Sequence, residues 1–320
     1  MKYVLGGGIS GLLWAYYHPE YVVLTDRVGR AVAGTDAMIW LNDTESTRRW
    51  LRDMIGPSAP MIIREQPIGY LSSQVGRVSG ILRHDYVSDL MADEILLKKM
   101  VPWGMVFEAS RLRIGLSVRT PSRKFTKNSG SIRYLAHSVS ELGARLVESM
   151  SDRIKIARVS SISSDRLQVS GGESLEYDHV VSTIPAPVFC RLWSGDWPGG
   201  MPELHYLPVT FAITEKTPFW WDDRFAMIYV GDPSYPSVRV AVVGGPVERE
   251  CVHEITGMVS EDFLRQELGA QETFVNPFGR IYQDIDLCSP SSKVRFLGRT
   301  AEWRYDGLID KVLDQVLDAG

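Results

Sequence analysis

The chain has few cysteines and no pattern that would hold a metal. Cys190, Cys251 and Cys288 are the only three cysteines among 320 residues, and they lie far apart. An odd number at such spacing forms neither a disulfide framework nor a metal-ligand set, so we expect three buried free thiols. The six histidines form no metal-ligand cluster either, and no metal site is predicted.

The chain also lacks long apolar runs and a basic excess. No segment approaches the roughly 20 apolar residues of a membrane span, and no charged-then-apolar leader precedes the first predicted strand. We therefore expect a cytoplasmic protein without a membrane partner. The length of 320 residues predicts about two domains. The net charge of −4 argues against a broad nucleic-acid surface.

Positive charge is nevertheless concentrated in one segment. Residues 111–127, "RLRIGLSVRTPSRKFTK", contain six basic residues and no acidic one. This segment is either a solvated strand face with its loop or a binding surface for a phosphorylated or polymeric anion.

Glycine is abundant at one place near the N-terminus, in "GGGISG" at residues 6–11. The β-prone run 3–5 precedes it, and the apolar run 12–16 follows without a helix breaker. A second β-prone run, 21–24, ends in Thr25-Asp26. The order predicts a strand, a tight turn, a helix and a second strand, which together make a βαβ unit.

The spacing of these glycines has a chemical reason. Gly6, Gly8 and Gly11 satisfy G-x-G-x-x-G, which allows a tight turn, close approach of a pyrophosphate, and close packing of helix on strand. Asp26 stands where a carboxylate would accept hydrogen bonds from an adenosine ribose. The pattern favours a dinucleotide site, and the alternative is a glycine-rich turn in another α/β fold.

Farther along, the spacing of apolar residues predicts helices over 46–56 and 87–100 and an amphipathic helix at the C-terminus. We also predict a helix that is capped by Ser131 and carries Ile132, Leu135, Val139 and Leu142 on one face. The region from about 192 to 285 alternates as an antiparallel sheet does and could wall a ligand site.

Six segments in this order resemble the superfamily of flavin-containing amine oxidases, protoporphyrinogen oxidases and UDP-galactopyranose mutases. They are "VLGGGISGL", "NSGSIRYLAHSVSELGARL", "RIKIARVSSI", "YDHVVSTIPAPVF", "EKTPFWW" and "VRFLGRTAEWRYDGLIDKVL". The resemblance implies an α/β fold with FAD as cofactor. It implies a Rossmann-like, GR2-type FAD-binding domain over 1–60, 125–190 and 286–320. An interleaved α+β substrate domain on an antiparallel sheet would occupy 61–124 and 191–285.

The resemblance also assigns residues. Those expected at the cofactor are Gly6, Gly8, Ile9, Ser10, Gly11, Asp26, Arg27, Val159, Gly298, Arg299, Asp306, Gly307 and Leu308. Trp303 and Tyr305 would form an aromatic wall that aligns the substrate, and Arg239 would hold a carboxylate or phosphate. Two positions depart from the family pattern: Thr210 stands where amine oxidases commonly carry a lysine, and 33–40, "AGTDAMIW", lacks the histidine of the mutases.

Three functions are expected: two follow from the resemblance, and the third also draws on the basic segment 111–127 and the compact substrate domain. The leading one is an FAD-dependent oxidoreductase, amine oxidase-like, that oxidises an amine or amino-acid-type C–N bond of a small-molecule or anionic substrate. One alternative is a redox-neutral enzyme, similar to UDP-galactopyranose mutase, acting on a nucleotide sugar. The other is a flavin amine oxidase that acts on an amine-bearing modified nucleic-acid base. The oligomeric state is left open.

Overall fold

The computed structural model describes residues 1–28, 41–58, 61–71, 82–83, 89–106, 131–135, 139–244, 249–281, 285–304 and 309–319. The α-helices in these ranges are α1 (Ile9–Tyr17), α2 (Glu45–Ile55), α3 (Asp89–Met100), α4 (Val139–Ser149), α5 (Ala186–Leu192), α6 (Glu261–Leu268) and α7 (Ile309–Asp318). In this part of the chain no helix is both long and apolar enough to cross a membrane.

The strands of the same ranges follow in chain order. They are β1 (Lys2–Gly7), β2 (Tyr21–Val28), β3 (Leu41–Asn42), β4 (Ile63–Leu71), β5 (Leu82–Arg83), β6 (Ser131–Leu135), β7 (Ile154–Ile156), β8 (Val159–Ile162), β9 (Arg166–Val169), β10 (Ser174–Glu176), β11 (His179–Ser182), β12 (Tyr206–Thr214), β13 (Met227–Val230), β14 (Arg239–Gly244), β15 (Arg249–Thr256), β16 (Glu272–Ile281) and β17 (Val294–Phe296).

The chain divides into two compact units, of which the first comprises 1–63, 135–205 and 283–320. Its central sheet has the order β17-β11-β1-β2-β7, and every neighbouring pair is parallel. The strands β1 and β2 and the helix α1 between them form the predicted βαβ unit. The inner strands β1, β2 and β11 contain uninterrupted apolar runs, as expected of parallel strands that are covered on both faces.

Side-chain alternation along β1 sends neighbouring residues to opposite faces of this sheet. Val4 packs into a cluster with α1, α2, α4 and α7. Leu5 packs on the other side with Phe189 of α5 and with Leu167 of the antiparallel strands β8, β9 and β10. The sheet is therefore buried on both faces, which fixes the carboxyl ends of its strands in place.

The second unit comprises 64–134 and 206–282. Its strands pair in the order β16-β12-β15-β14-β13-β4-β6, with β5 on β4. The pair β4–β13 is parallel, whereas β12, β14, β15 and β16 pair antiparallel. One sheet face packs through Ala212 and Ile255 against Leu264 of α6. The fold is thus mixed α/β, with one parallel sheet and one mainly antiparallel sheet.

Two predictions were wrong. Residues 131–135 form strand β6 rather than the start of a helix, and the helix begins only at Val139. The β-prone sequence "SIRYL" pairs in the second sheet, where the Tyr134 hydroxyl donates to Gln66 Oε1 at 2.8 Å, and this tertiary pairing overrides the helical spacing. Of the three cysteines, Cys190 and Cys251 are buried, but Cys288 is exposed because it lies in the irregular link before β17.

Candidate functional site

The predicted glycine turn lies at the carboxyl end of β1 in the first unit. Gly6 has φ +109°, a conformation that favours glycine, and a Cβ on it would lie 2.7 Å from Thr183 Oγ1. A Cβ on Gly11 would lie only 2.2 Å from the Gly6 carbonyl oxygen. Since real Cβ atoms do not approach backbone this closely, the turn and the helix–strand contact both require glycine.

Gly8 differs from its neighbours because it faces open space. It is the N-cap of α1, with φ −78°, and a Cβ on it would have no heavy atom within 4 Å. No side chain of the described residues caps α1, and its first turn contains no acidic residue. The N–H groups of Ile9, Ser10 and Gly11 therefore present the positive end of the helix dipole at an open glycine. This cradle fits the pyrophosphate of a dinucleotide.

Thr183 supports the turn and was missed by the sequence analysis. It follows β11, and its hydroxyl donates to the Leu5 carbonyl oxygen at 2.9 Å. Its Oγ1 is also the atom that a Cβ on Gly11 would meet at 2.9 Å. The segment "VVSTIP" shows a strand end, but nothing in it indicates that the threonine reaches the glycine turn.

The structure brings Gly298 to the same helix N-terminus. Gly298 follows β17 with φ +91°, and a Cβ on it would lie 2.7 Å from Ser10 Oγ. Its N–H donates to Glu302 Oε2 at 2.9 Å, and Glu302 Oε1 accepts from Gln315 of α7 at 3.1 Å. Two of the residues predicted at the cofactor, one from each end of the chain, are thus in contact, and Glu302 is a further residue that the sequence did not reveal.

The residues that follow Gly298 along the chain differ in burial. Arg299 is half-buried, and its carbonyl oxygen accepts from the Arg304 N–H at 3.0 Å. Trp303 is fully buried with φ 56°. A bulky residue in the left-handed region costs roughly 1–2 kcal/mol, so the surrounding packing has to hold it there. Tyr305, Asp306, Gly307 and Leu308 lie outside the described residues, as does the basic segment 111–127.

The predicted ribose and adenine positions lie near the carboxyl end of β2. Asp26 and Arg27 are exposed there. The Ala157 N–H donates to the Thr25 carbonyl oxygen at 2.7 Å, which places the link between β7 and β8 beside this strand end. Val159, the first residue of β8, is half-buried two residues later. These contacts put Asp26 and Val159 on adjoining elements.

Arg239 belongs to the second unit, where it begins β14. One of its guanidinium nitrogens pairs with the carboxylate of Glu254 on the neighbouring strand β15. The other oxygen of the same carboxylate pairs with Arg280 of β16. Glu254 and Arg280 were not among the predicted site residues, because their meeting depends on a strand register that the sequence does not show.

Two buried basic groups lie near Arg239 and Glu254, one on α3 and one on β15. Lys98 of α3 donates to the carbonyl oxygens of Asp232, Tyr235 and Ser237 at 2.7–2.8 Å, while burial lowers its pKa to about 7. His253 lies between Thr214 Oγ1 (3.3 Å) and Ser237 Oγ (2.9 Å). Burial lowers the pKa of this histidine to about 4, so it is neutral near pH 7.

Comparison with known proteins adds the family. The family model "Flavin containing amine oxidoreductase" matches residues 69–241, which is more than half of the chain. No curated protein matches the sequence.

Solved structures are similar in fold at low identity. A reduced UDP-galactopyranose mutase has a TM-score of 0.61 at 13% identity, over 99% of this chain and 92% of that one. Cyclohexylamine oxidase from Brevibacterium oxydans has 0.59 at 12%, over 99% and 97%. A redesigned putrescine oxidase double mutant has 0.57 at 14%, over 99% and 98%. The family match, with a glycine turn that fits a dinucleotide, shows that the chain belongs to the flavin-containing amine oxidoreductase family and is an FAD-dependent oxidoreductase.

Proposed function

We propose that this protein oxidises the C–N bond of an amine or an amino acid. The observation that carries the proposal is the contact between Gly298 and Ser10 at the N-terminus of α1, which none of the described side chains caps. It joins the two most specific segments of the resemblance to the amine oxidase, protoporphyrinogen oxidase and UDP-galactopyranose mutase superfamily, and the family match to flavin-containing amine oxidoreductases supports a C–N bond as the target. FAD, when bound, would be the two-electron acceptor for the oxidation of the amine to an imine.

The residues that would hold FAD follow from this arrangement. The backbone at Gly6, Gly8, Ile9, Ser10 and Gly11 would bind the pyrophosphate. Asp26 and Arg27 would lie at the ribose, and Val159 at the adenine. Gly298 and Arg299 would lie nearest the flavin, together with Asp306, Gly307 and Leu308 beyond the described residues. In this proposal the first unit is the GR2-type FAD domain and the second is the substrate domain.

The chain's own groups have limited tasks in such a reaction. The amine has to reach the flavin neutral and correctly aligned, since proximity and orientation contribute much of the acceleration. We assign the alignment to Tyr305, and a packing role to Trp303, because the Trp303 side chain is fully buried. Arg239 would bind an anionic group of the substrate.

The first experiment is spectroscopic. The purified protein is expected to show a flavin absorption spectrum, and heat is expected to release FAD that mass spectrometry identifies. Under anaerobic conditions a substrate amine or amino acid should bleach this absorbance, and in air the same substrate should yield peroxide.

One result would contradict C–N oxidation, and another would assign it to a different class of substrate. The first is that no amine or amino acid of a broad panel bleaches the flavin, while a nucleotide sugar is turned over only after chemical reduction of the flavin. The other is bleaching only by an amine-bearing modified base in DNA, with binding that weakens as salt rises. Each of these results corresponds to one of the two alternatives that the sequence leaves open.

A further inference from the structure

The turn that follows β17 is closed by two sets of hydrogen bonds. The N–H groups of Ala301 and Glu302 donate to the Gly298 carbonyl oxygen at 3.1 and 2.8 Å. In the opposite direction, the Gly298 N–H donates to the Glu302 side chain at 2.9 Å. Gly298 has a φ of +91°, and its peptide groups are thus held on both sides. Glu302 therefore helps to fix the conformation of the residue that contacts α1.

Helix α7 in turn fixes the side chain of Glu302. The Gln315 side-chain amide on α7 donates to Glu302 Oε1 at 3.1 Å. Both side chains belong to half-buried residues, so water competes for this hydrogen bond less than at an exposed site. A Cβ on Gly298 would lie 3.9 Å from Val312 Cγ2, one turn earlier on the same helix. Helix α7 thus supports the turn both through Glu302 and through Val312.

Ser10 lies between this turn and the cradle at Gly8. It is the second residue of α1, and its N–H is one of those that the cradle presents. A Cβ on Gly298 would lie 2.7 Å from Ser10 Oγ and 3.1 Å from Ser10 Cβ, so the Gly298 backbone and the Ser10 side chain leave no room for a further atom. A continuous series of contacts therefore runs from Gln315 through Glu302 and Gly298 to the cradle.

Glu302 has hydrogen-bond partners but no counter-charge. Its two donors, the Gly298 N–H and the Gln315 amide, are neutral, and it forms no ion pair with any residue that the structure describes. A half-buried carboxylate with only neutral partners is screened less than a surface ion pair, so its field extends farther. The turn therefore places one fixed negative charge beside the N-terminus of α1.

We propose that Glu302 is a positioning residue for FAD and that its negative charge lowers the reduction potential of the bound flavin. The reduced flavin is more negative than the oxidised one, so a carboxylate nearby disfavours reduction. A lower potential makes the flavin a weaker oxidant of the substrate and a stronger reductant of its electron acceptor. This inference rests on the placement of the flavin at Gly298 and Arg299 under the proposed function, but not on the identity of the substrate.

Two substitutions at Glu302 separate hydrogen bonding from charge. Glu302→Gln keeps an oxygen that can accept from the Gly298 N–H and removes the charge, whereas Glu302→Met, of similar length, removes both. FAD affinity is measured by fluorescence titration of the apoprotein. Glu302→Gln should bind oxidised FAD within about 3-fold of the wild type. Glu302→Met should bind it about 10-fold more weakly, because loss of a hydrogen bond to a charged group leaves the Gly298 turn less firmly held.

The reduction potential, titrated against a reference dye, reports the charge. In Glu302→Gln the reduced flavin should gain about 3- to 10-fold in affinity relative to the oxidised flavin. For a two-electron couple this gain raises the potential by about 15 to 30 mV. Glu302→Met should show a rise of similar size. Gln315→Met keeps the charge of Glu302 and should leave the potential unchanged.

Glu20→Gln is the matched control, because it removes the same charge at a distant place in the same unit. Glu20 immediately precedes β2, at the amino end of the parallel sheet, and pairs with Lys2 at 3.1 Å. It should change neither the FAD affinity nor the potential. A rise of equal size in Glu20→Gln would show a general effect of net charge and would overturn the proposal.

Two further outcomes would also overturn it. One is a potential that Glu302→Gln leaves unchanged, and this arm decides the question even if Glu302→Met fails to fold. The other is a folded Glu302→Met protein that binds FAD like the wild type. Both measurements use a chemical reductant and no substrate, so their failure leaves C–N oxidation standing. Conversely, a protein that oxidises no amine or amino acid but shows the shifted potential in Glu302→Gln retains the assignment of Glu302.

Discussion

Gly8 and Gly11 provide a matched pair of substitutions that separates folding from cofactor binding. In Gly11→Ala the new methyl group would lie 2.2 Å from the Gly6 carbonyl oxygen, about 1 Å inside ordinary contact. Because this neighbour is backbone at a tight turn, it cannot move aside cheaply. We expect the free energy of unfolding of the apoprotein to fall by about 1–3 kcal/mol, as overpacking does in cores.

Gly8→Ala should leave the fold almost unchanged. Its φ of −78° suits any residue, and no heavy atom lies within 4 Å of the new Cβ. Alanine is a poorer N-cap than glycine, but it also lowers the entropy of the unfolded chain, so the two effects nearly cancel, to within about 0.5 kcal/mol. The methyl group would instead occupy the open space where the pyrophosphate is expected. Losing one charge-assisted contact there should weaken FAD about 10- to 100-fold.

The two variants are compared by denaturant unfolding of the apoprotein and by fluorescence titration with FAD. The expected result is a stability defect in Gly11→Ala and an affinity defect with normal stability in Gly8→Ala. The interpretation of the turn is refuted if Gly11→Ala is as stable as Gly8→Ala, or if Gly8→Ala binds FAD like the wild type.

Three further predictions concern single positions. Gly298→Ala should lower the free energy of unfolding by roughly 1–2 kcal/mol, because Gly298 has a φ of +91°. Adding Ser10→Gly should restore only the stability lost to the contact between the new methyl group and Ser10, and denaturant unfolding of both variants measures this. Burial lowers the pKa of His253 in the folded protein to about 4, whereas the unfolded chain has a pKa of about 6.5. The neutral histidine therefore contributes its full stability above pH 6.5. This contribution, up to about 3 kcal/mol, is lost as the pH falls towards 4. Unfolding curves of His253→Gln should lack this part of the pH dependence, and equal slopes for both proteins would contradict it. Cys288 is exposed and should react with a maleimide in the folded protein. Burial raises the pKa of the Cys190 thiol to about 11 and that of the Cys251 thiol to about 12, so both should react only after unfolding. Labelling of Cys190 or Cys251 in the native state would contradict their burial.

Much of the first unit could be predicted from sequence because its signals are local. The β1-α1-β2 unit follows from apolar runs and glycine spacing over fewer than 30 residues. The family, the FAD cofactor and the oxidoreductase class predicted from the motifs are confirmed by the family match. The domain boundaries and the individual site assignments stay predictions.

The failures share a physical cause, which is pairing between distant segments. Residues 131–135 are compatible with a helix or a strand, and only the neighbouring strands decide between them. Glu254 and Arg280 are 26 residues apart with the helix α6 between them, and their ion pair reaches across β12. Thr183 likewise reaches the glycine turn from far along the chain. No local pattern encodes such contacts.

The three carbonyl contacts of Lys98 have a consequence for ligand affinity. They tie residues 232–237 to α3, and Arg239 follows two residues later at the start of β14. A loop that must become ordered on binding loses roughly 1–2 kcal/mol of backbone entropy per residue. Because the Lys98 contacts already hold this segment, an anionic group that Arg239 bound as proposed would lose less of its interaction energy to ordering the backbone.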